Sequence, residues 1–408
     1  MPSLQPFHGI RYSSSGALAE LVCPPYDIIS EEEQQLLHER HPHNAVHLEL
    51  SRSAHYDSVA ELFSHWLDSG VLKRDEQPSL YIYRQDFIDD RNERCSVTGV
   101  IGALELEPFG EGSGILPHER TMPGPISDRL ALLRAVPVNI SPIYAIYRGG
   151  GALSSYHEDL KHRPTAARFV DDYGTLHRLW VVTRPAEIEL LCGTVASGPL
   201  VIADGHHRYE TALAYAAERA GEPGGHDAIM CFCVDADSED LTVLPYHRAV
   251  DAHVGAEVAR ARLLELFGAK DVDVEYADVE LRKSQADHPF LFVFDGFDLL
   301  VEVSDAEVVA RLGERPRAWR ALDVVALHEV VLPETFPEGV RQLHFSKDAR
   351  AILRLVKSEG WTAGVLMRPL SPVQVVEVAR SGERMPQKAS YFWPKAVTGL
   401  VFRSLTEP

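Results

Sequence analysis

Asp204-Gly205-His206-His207-Arg208 puts a carboxylate, a glycine, two imidazoles and a guanidinium on one turn. Ahead of it lies the apolar run Leu200-Val-Ile-Ala203. Behind it, Tyr209, Ala212, Leu213 and Ala216 recur at helical spacing and Gly221 ends the pattern, so the pentapeptide reads as a strand-to-helix junction. A helix start offers unpaired backbone N–H groups and the positive end of the dipole, which together favour an anion. Gly205 permits close backbone approach, Arg208 can fork onto two phosphate oxygens, and His206 and His207 add donors or metal ligands. Asp204 stands where a carboxylate would hold a metal ion or orient a histidine. On a purely structural reading Asp204 is an N-cap and the histidines are half-buried polar residues.

A second cluster, Pro117-His118-Glu119-Arg120-Thr121, lies in residues 107–125, which hold four glycines and four prolines in nineteen positions. Long irregular stretches inside compact domains are usually functional. A histidine beside a glutamate suits acid–base chemistry or metal coordination, and Arg120 suits an anionic ligand. A third, Met385 to Lys395, is dense in aromatics and prolines and carries Lys388 and Lys395, two cations suited to a phosphate. Pro24-Pro25-Tyr26-Asp27 reads as a rigid wall with one carboxylate turned inward, or as a plain turn. Asn44, Glu49, Asp128, Arg129, His247 and Arg248 are open between structural and functional roles. The chain has no G-x-x-x-x-G-K-[ST], G-x-G-x-x-G or G-x-S-x-G, so P-loop, Rossmann and serine-hydrolase sites lack their usual supports.

The 408 residues carry 40 Lys+Arg against 60 Asp+Glu, a net charge of −20. Such a surface repels phosphate backbones and anionic lipid at long range, which argues against nucleic-acid or membrane-surface partners. A phosphate ligand therefore needs a local basic pocket. No apolar run reaches the length of a membrane span and the first residues have no secretory pattern, so a cytoplasmic protein is expected. Cys23, Cys95, Cys192, Cys231 and Cys233 are scattered and odd in number, which points to free thiols.

These motifs must be held by a framework whose elements are short and mixed. Helices are expected over 31–41, capped by Ser30, over 57–69, and from a Ser127–Asp128 cap to Arg134. Strands are expected over 80–87 and 95–106 in hairpin spacing, over 143–147, over 200–203 and over 228–234; 169–171 with 179–182 reads as another hairpin. The mixture gives an α+β class with mixed sheets. Division falls into an N-terminal domain, 1–250, carrying the PHERT and DGHHR motifs, and a smaller domain, 251–408, whose tail from 364 returns to the site.

Taken together, CPPYDII, PHERT with its downstream DRL, NISPIYAIY, ADGHHRYETALAY and MPQKASYFWPKAVTGLV resemble the DUF1015 family from the first thirty residues to the last twenty. Ala389 departs from the family pattern, which has serine there. The strand followed by Asp-Gly-His-His-Arg is also similar to the phosphate-binding turn of the ParB/sulfiredoxin superfamily, which includes ATP-using sulfiredoxins, CTP-hydrolysing partition proteins and kinases of free serine. That resemblance implies a ParB/sulfiredoxin-like core with a smaller C-terminal α/β subdomain, and implies Gly205, His207 and Arg208 as binders of nucleotide phosphates. The expected function is then a nucleotide-dependent phosphotransferase acting on a small hydroxylated metabolite such as a free amino acid. Its cofactors would be a nucleoside di- or triphosphate and Mg²⁺, the metal held by Asp204 or Glu119. Arg120, Arg208, Lys388 and Lys395, with His206 and His207, would face the phosphates. Glu119 or Asp27 would take the acceptor's proton, with His207 as a further catalytic candidate. Two other readings remain: a non-catalytic nucleotide or metabolite sensor, and a metal-dependent hydrolase built on His118, His206 and His207. Oligomeric state is left open.

Overall fold

The computed structural model describes residues 1–407, leaving aside 15, 54, 90–91, 120–122, 154–155, 157–159, 161, 239–240 and 274–276, and the side chains of 123–125 and 277–278. The expected α+β class is what the chain adopts. It forms two compact units, one of Met1–Pro117, Thr121–Leu241 and Pro394–Pro408, the other of His118–Arg120 and Thr242–Trp393. Residue 250, where the sequence reading divides the chain, lies inside the strand His247–Ala252. Lys395 belongs to the first unit and Lys388 to the second.

In the first unit the described residues build a mixed sheet of nine strands. Its middle is Ala228–Asp235, buried along its whole length, as a strand covered on both faces must be. Arg94–Glu105 pairs with it antiparallel and Ile143–Tyr147 pairs with it parallel. The expected hairpin of Leu80–Ile88 and Arg94–Glu105 is present, and Leu176–Val182 with Ala167–Val170 extends the sheet. On the other side Leu200–Asp204 runs antiparallel to Ile143–Tyr147, and Ile115–Pro117 pairs with it in parallel. Residues 107–125 are thus not wholly irregular. Glu107 anchors them, its backbone N–H donating to Tyr209 Oη at 2.9 Å and its carbonyl accepting from the same hydroxyl at 2.8 Å.

Ile202 faces Ala145 while Asp204 faces Tyr144, so the pairing slips between them and Ala203 is the extra residue of a β-bulge. A bulge turns the strand end and re-aims the side chain beyond it, here that of Asp204. The helix His206–Glu218 follows at once, and its Tyr209 and Ala212 are buried in one core with Ile143, Ile202, Cys231 and Cys233. Each large apolar side chain so buried stabilises the fold by roughly 1.5–3 kcal/mol. Cys233 Sγ donates to Cys231 Sγ at 3.5 Å on the same side of their strand, and both thiols are free of disulfides.

The helix Glu31–Arg40 is capped as expected, Ser30 Oγ accepting from Glu33 N at 3.2 Å, and Asp57–Asp68 is helical. One expectation fails. The helix expected to begin at Ser127 begins at Pro123 and runs to Ala135, so Ser127 and Asp128 lie inside it rather than capping it. First-turn positions have no intrahelical partner for their N–H, so prolines are tolerated there.

The second unit is a six-stranded sheet, a two-stranded ribbon and helices. The helix Ala349–Glu359 buries Ile352 against Ala249, Leu291 and Val293. Gly364 allows that closeness, since a Cβ there would stand 2.9 Å from Ile352 Cγ2. The ribbon pairs Thr242–Leu244 with Tyr391–Trp393 and carries the end of the Met385–Trp393 segment. Among the described residues no helix is long and apolar enough to cross a membrane.

Candidate functional site

In the first unit, Asp204 ends the strand and Gly205 caps the helix with φ 86°. A Cβ on Gly205 would stand 3.0 Å from Arg208 Nε and Nη2 and from Ile143 Cγ2. Glycine is thus required both by the left-handed backbone and by the Arg208 side chain folding back beneath it. Arg208 Nη2 donates to Asp204 Oδ2 at 2.8 Å, while Nη1 donates to Ser141 Oγ at 2.9 Å and to the Pro142 carbonyl at 2.6 Å. Lys395 Nζ takes the other oxygen of Asp204. The lysine is itself placed by Gln85, whose Nε2 donates to the Lys395 carbonyl at 2.8 Å. Arg208 and Lys395 are each 9% exposed and Asp204 12%. His206 is buried and His207 half-buried at the helix start.

The pair of prolines at 24–25 leads into a 3₁₀ turn, Tyr26–Ile28, that presents Asp27. Asp27 keeps solvent-accessible surface, yet burial is the main influence on its carboxyl and raises its proton affinity. The charge of Asp204 raises it further, and Arg208 and Lys395 offset this only in part. Tyr26 beside it is pushed up to about 12, chiefly by burial, and its ring lies 4.6 Å beneath the Arg129 guanidinium.

Behind this turn a second layer of charge holds the site. Glu49 is 3% exposed, and burial raises its proton affinity despite Arg129 and Arg208 nearby. Arg129 Nη1 donates to the Glu49 carbonyl at 2.7 Å and lies 3.8 Å from its carboxylate. Ser141 Oγ donates to Glu49 Oε1 at 3.4 Å while accepting from Arg208. Glu49, Arg129, Ser141 and Arg208 line a cavity of about 50 Å³, room for a few water molecules. Asn44 is structural: its Nδ2 donates to the Glu20 and Val22 carbonyls and its Oδ1 accepts from Val46 N.

The first unit therefore gathers Asp27, Asp204, Gly205, His206, His207, Arg208 and Lys395. Glu119 and Lys388 belong to the second, and Arg120 lies outside the described residues. In the second unit the PHE and MPQK segments meet: the His118 carbonyl accepts from Met385 N at 2.8 Å, His118 Nε2 lies 3.0 Å from Ser390 Oγ, and Glu119 Oε1 is 3.8 Å from His118 Nε2. Buried Ala389 stands next to that serine. Glu49, Arg129 and Arg248, left open in the sequence, are buried charges. Ser141 was missed as a site residue; its only signal is its place in NISPIYAIY.

Three of the five N–H groups of Arg208 are engaged within the first unit, and its buried Nε has no hydrogen-bond partner among the described residues. Its two terminal nitrogens already serve Asp204, Ser141 and Pro142. A Mg²⁺ ion fits Asp204 poorly as it stands, because each carboxylate oxygen is held by a cation. Among the described residues no group of three or more His, Cys, Asp or Glu is arranged to hold a metal ion.

Residues 4–325 match a family described as "Protein of unknown function (DUF1015)". No curated protein matches the chain. Among solved structures the chain is similar to C-terminally truncated SbnI from Staphylococcus aureus, with TM-score 0.38 and 11% identity over 73% of this chain and 85% of that one. It is also similar to a variant of a free serine kinase in complex with AMP (TM-score 0.36, 13% identity, 74% and 92% covered), and to a conserved hypothetical protein from Pyrococcus furiosus (0.33, 12%, 69% and 89%).

Proposed function

We propose that this chain, which belongs to the DUF1015 family, is a nucleotide-dependent phosphotransferase that moves a phosphoryl group onto the hydroxyl of a small metabolite such as a free amino acid. The observation that carries the reading is Asp27: an accessible carboxyl with raised proton affinity, under the influence of Arg208 and Lys395. Active sites are where burial and neighbouring charges shift proton affinities in this way. The similarity of the Asp204–Arg208 turn to the phosphate-binding turn of the ParB/sulfiredoxin superfamily belongs to the same reading.

The substrate is a nucleoside di- or triphosphate carrying Mg²⁺ as its own counter-ion. Backbone N–H groups at the His206–Glu218 helix start face its phosphate oxygens, where the helix dipole favours them. Arg208 and Lys395, fixed by Asp204, supply preorganised positive potential rather than direct forks; fixed charge of this kind is the main contribution in phosphoryl transfer. Asp27 accepts the proton of the acceptor hydroxyl as that oxygen bonds to the terminal phosphorus. The bond from phosphorus to the bridging oxygen breaks, and the shortened nucleotide leaves with its electron pair. His207 adds a donor at the helix start.

Phosphorus NMR tests the reading with ATP, ADP or CTP, Mg²⁺ and a pool of hydroxylated metabolites. The wild-type chain is expected to produce a new phosphomonoester resonance. Asp27→Asn is expected to slow its appearance by about 10²–10⁴ while nucleotide still binds. Equal rates in the two proteins would overturn the role of Asp27. A second reading, a non-catalytic nucleotide sensor, is favoured by one observation: each terminal nitrogen of Arg208 already has a partner within the protein. Nucleotide binding without any phosphomonoester would select it.

A further inference from the structure

Arg248 lies in the strand His247–Ala252 and is 1% exposed. Among the described residues no carboxylate comes within 4.0 Å of it. Its partners are neutral: Nε to His328 Nε2 at 3.2 Å, Nη1 to the Tyr246 carbonyl and to Met367 Sδ at 3.0 Å, and Nη2 to the Lys388 carbonyl at 3.0 Å. A guanidinium has five N–H groups, so four are engaged and one on Nη2 remains. A buried charge without a counter-ion costs several kcal/mol, and burial lowers the proton affinity of Arg248 to about 9, Glu119 opposing this only in part. The flanking imidazoles of His247 and His328 are each lowered to about 4, by burial first and then by the charge of Arg248.

The chain around Arg248 is shaped in two unusual ways. Lys388 has φ 54°, a left-handed conformation that a side chain disfavours and that is typical of functional sites, and it gives its carbonyl to Arg248. His328 lies in a single π-helical turn, Leu327–Val331, another feature common at such sites. The Lys388 ammonium is exposed, 5.6 Å from the ring centroid of Tyr246, and no carboxylate among the described residues pairs with it. Both segments continue into one cleft of about 700 Å³. Glu329, next after His328, and Gln387, next before Lys388, line it together with Arg315 and Arg384. A cleft of that size takes a small molecule.

We infer that the second unit binds a phosphate dianion, free or as the end group of a small monoester, against the remaining N–H of Arg248, with the Lys388 ammonium closing from the solvent side. The anion supplies the counter-charge that Arg248 lacks, and the cleft takes the body of an ester. This site lies wholly within the second unit and does not rest on the phosphotransfer reading.

Isothermal titration of the full chain with inorganic phosphate tests it, with glycerol phosphate as the second arm. Wild type is expected to bind, Lys388→Gln at least tenfold more weakly, and Arg248→Gln not at all. Arg248→Lys keeps the charge without the fork and is expected in between. Lys388 is exposed, so its variant decides the matter even where Arg248→Gln does not fold. Asp27→Asn is expected to bind phosphate within twofold of wild type. Tighter binding of the ester assigns the cleft to its organic part, and equal binding assigns the site to free phosphate. Absence of binding by wild type, unchanged binding by Lys388→Gln, or loss of binding in Asp27→Asn would each overturn the inference.

Discussion

Arg208 donates to Asp204 Oδ2 at 2.8 Å across the first turn of a helix that Asp204 immediately precedes. Lys395 takes the opposite oxygen from the end of the chain. A single carboxylate thus fixes two cations at a helix start while a second, Asp27, is left raised in proton affinity beside them. The turn sequence alone points to an open anion cradle; in the structure both cations are already oriented by Asp204. Orientation is what a phosphate-handling site needs before its ligand arrives.

Replacing Asp204 by Asn removes the charge that both cations share. With the cations nearly buried, the loss is expected to reach roughly 3–5 kcal/mol, the cost of breaking a buried pair, and calorimetry is expected to record a clear fall in the unfolding midpoint. An unchanged midpoint would mean that the Asp204 interactions contribute nothing net.

Gly205→Ala meets two obstacles at once, the φ of 86° and contacts of 3.0 Å with Arg208 and Ile143. The expected destabilisation is about 1–3 kcal/mol, read by urea denaturation, with weaker nucleotide binding in the same variant. A variant as stable as wild type would show that the turn relaxes freely.

Acid is expected to weaken the second unit through His247 and His328. Unfolded histidines bind protons near pH 6.5, while these two do so only at about 4. Between those values the unfolded chain holds more protons, so stability is full above about 6.5 and is lost as pH falls towards about 4. Each histidine accounts for up to roughly 3 kcal/mol. Urea denaturation at several pH values checks this, and His328→Gln is expected to flatten the dependence. An identical slope in that variant would assign the acid sensitivity to other groups.

What was legible in the sequence was local. Leu200–Ala203 and the periodic residues after it specify a strand and a helix with no help from the rest of the chain, and Ser30 with Glu33 marks a cap three residues apart. The Pro123 helix start was not legible, since proline, glycine and proline in succession read as a loop until their first-turn position is known. The charge layer of Glu49, Arg129 and Ser141 was hidden for another reason. Its members come from three separate segments, and Glu49 ends a helix of four residues, too short for any periodicity. Arg248 was legible only as one charge in a strand; its burial among neutral partners comes from Tyr246, His328, Met367 and Lys388 meeting in space. In the sequence Lys388 and Lys395 look like one pair of cations, yet they fall in different units.

The central claim, that Asp27 is held ready to accept a proton, is most directly tested by carbon NMR titration of its side-chain carboxyl, assigned by comparison with Asp27→Asn. The account predicts a midpoint clearly above the ordinary aspartate value of about 3.9, raised further when Asp204 is kept and Lys395 is replaced by Met. A midpoint at or below the ordinary value would contradict it.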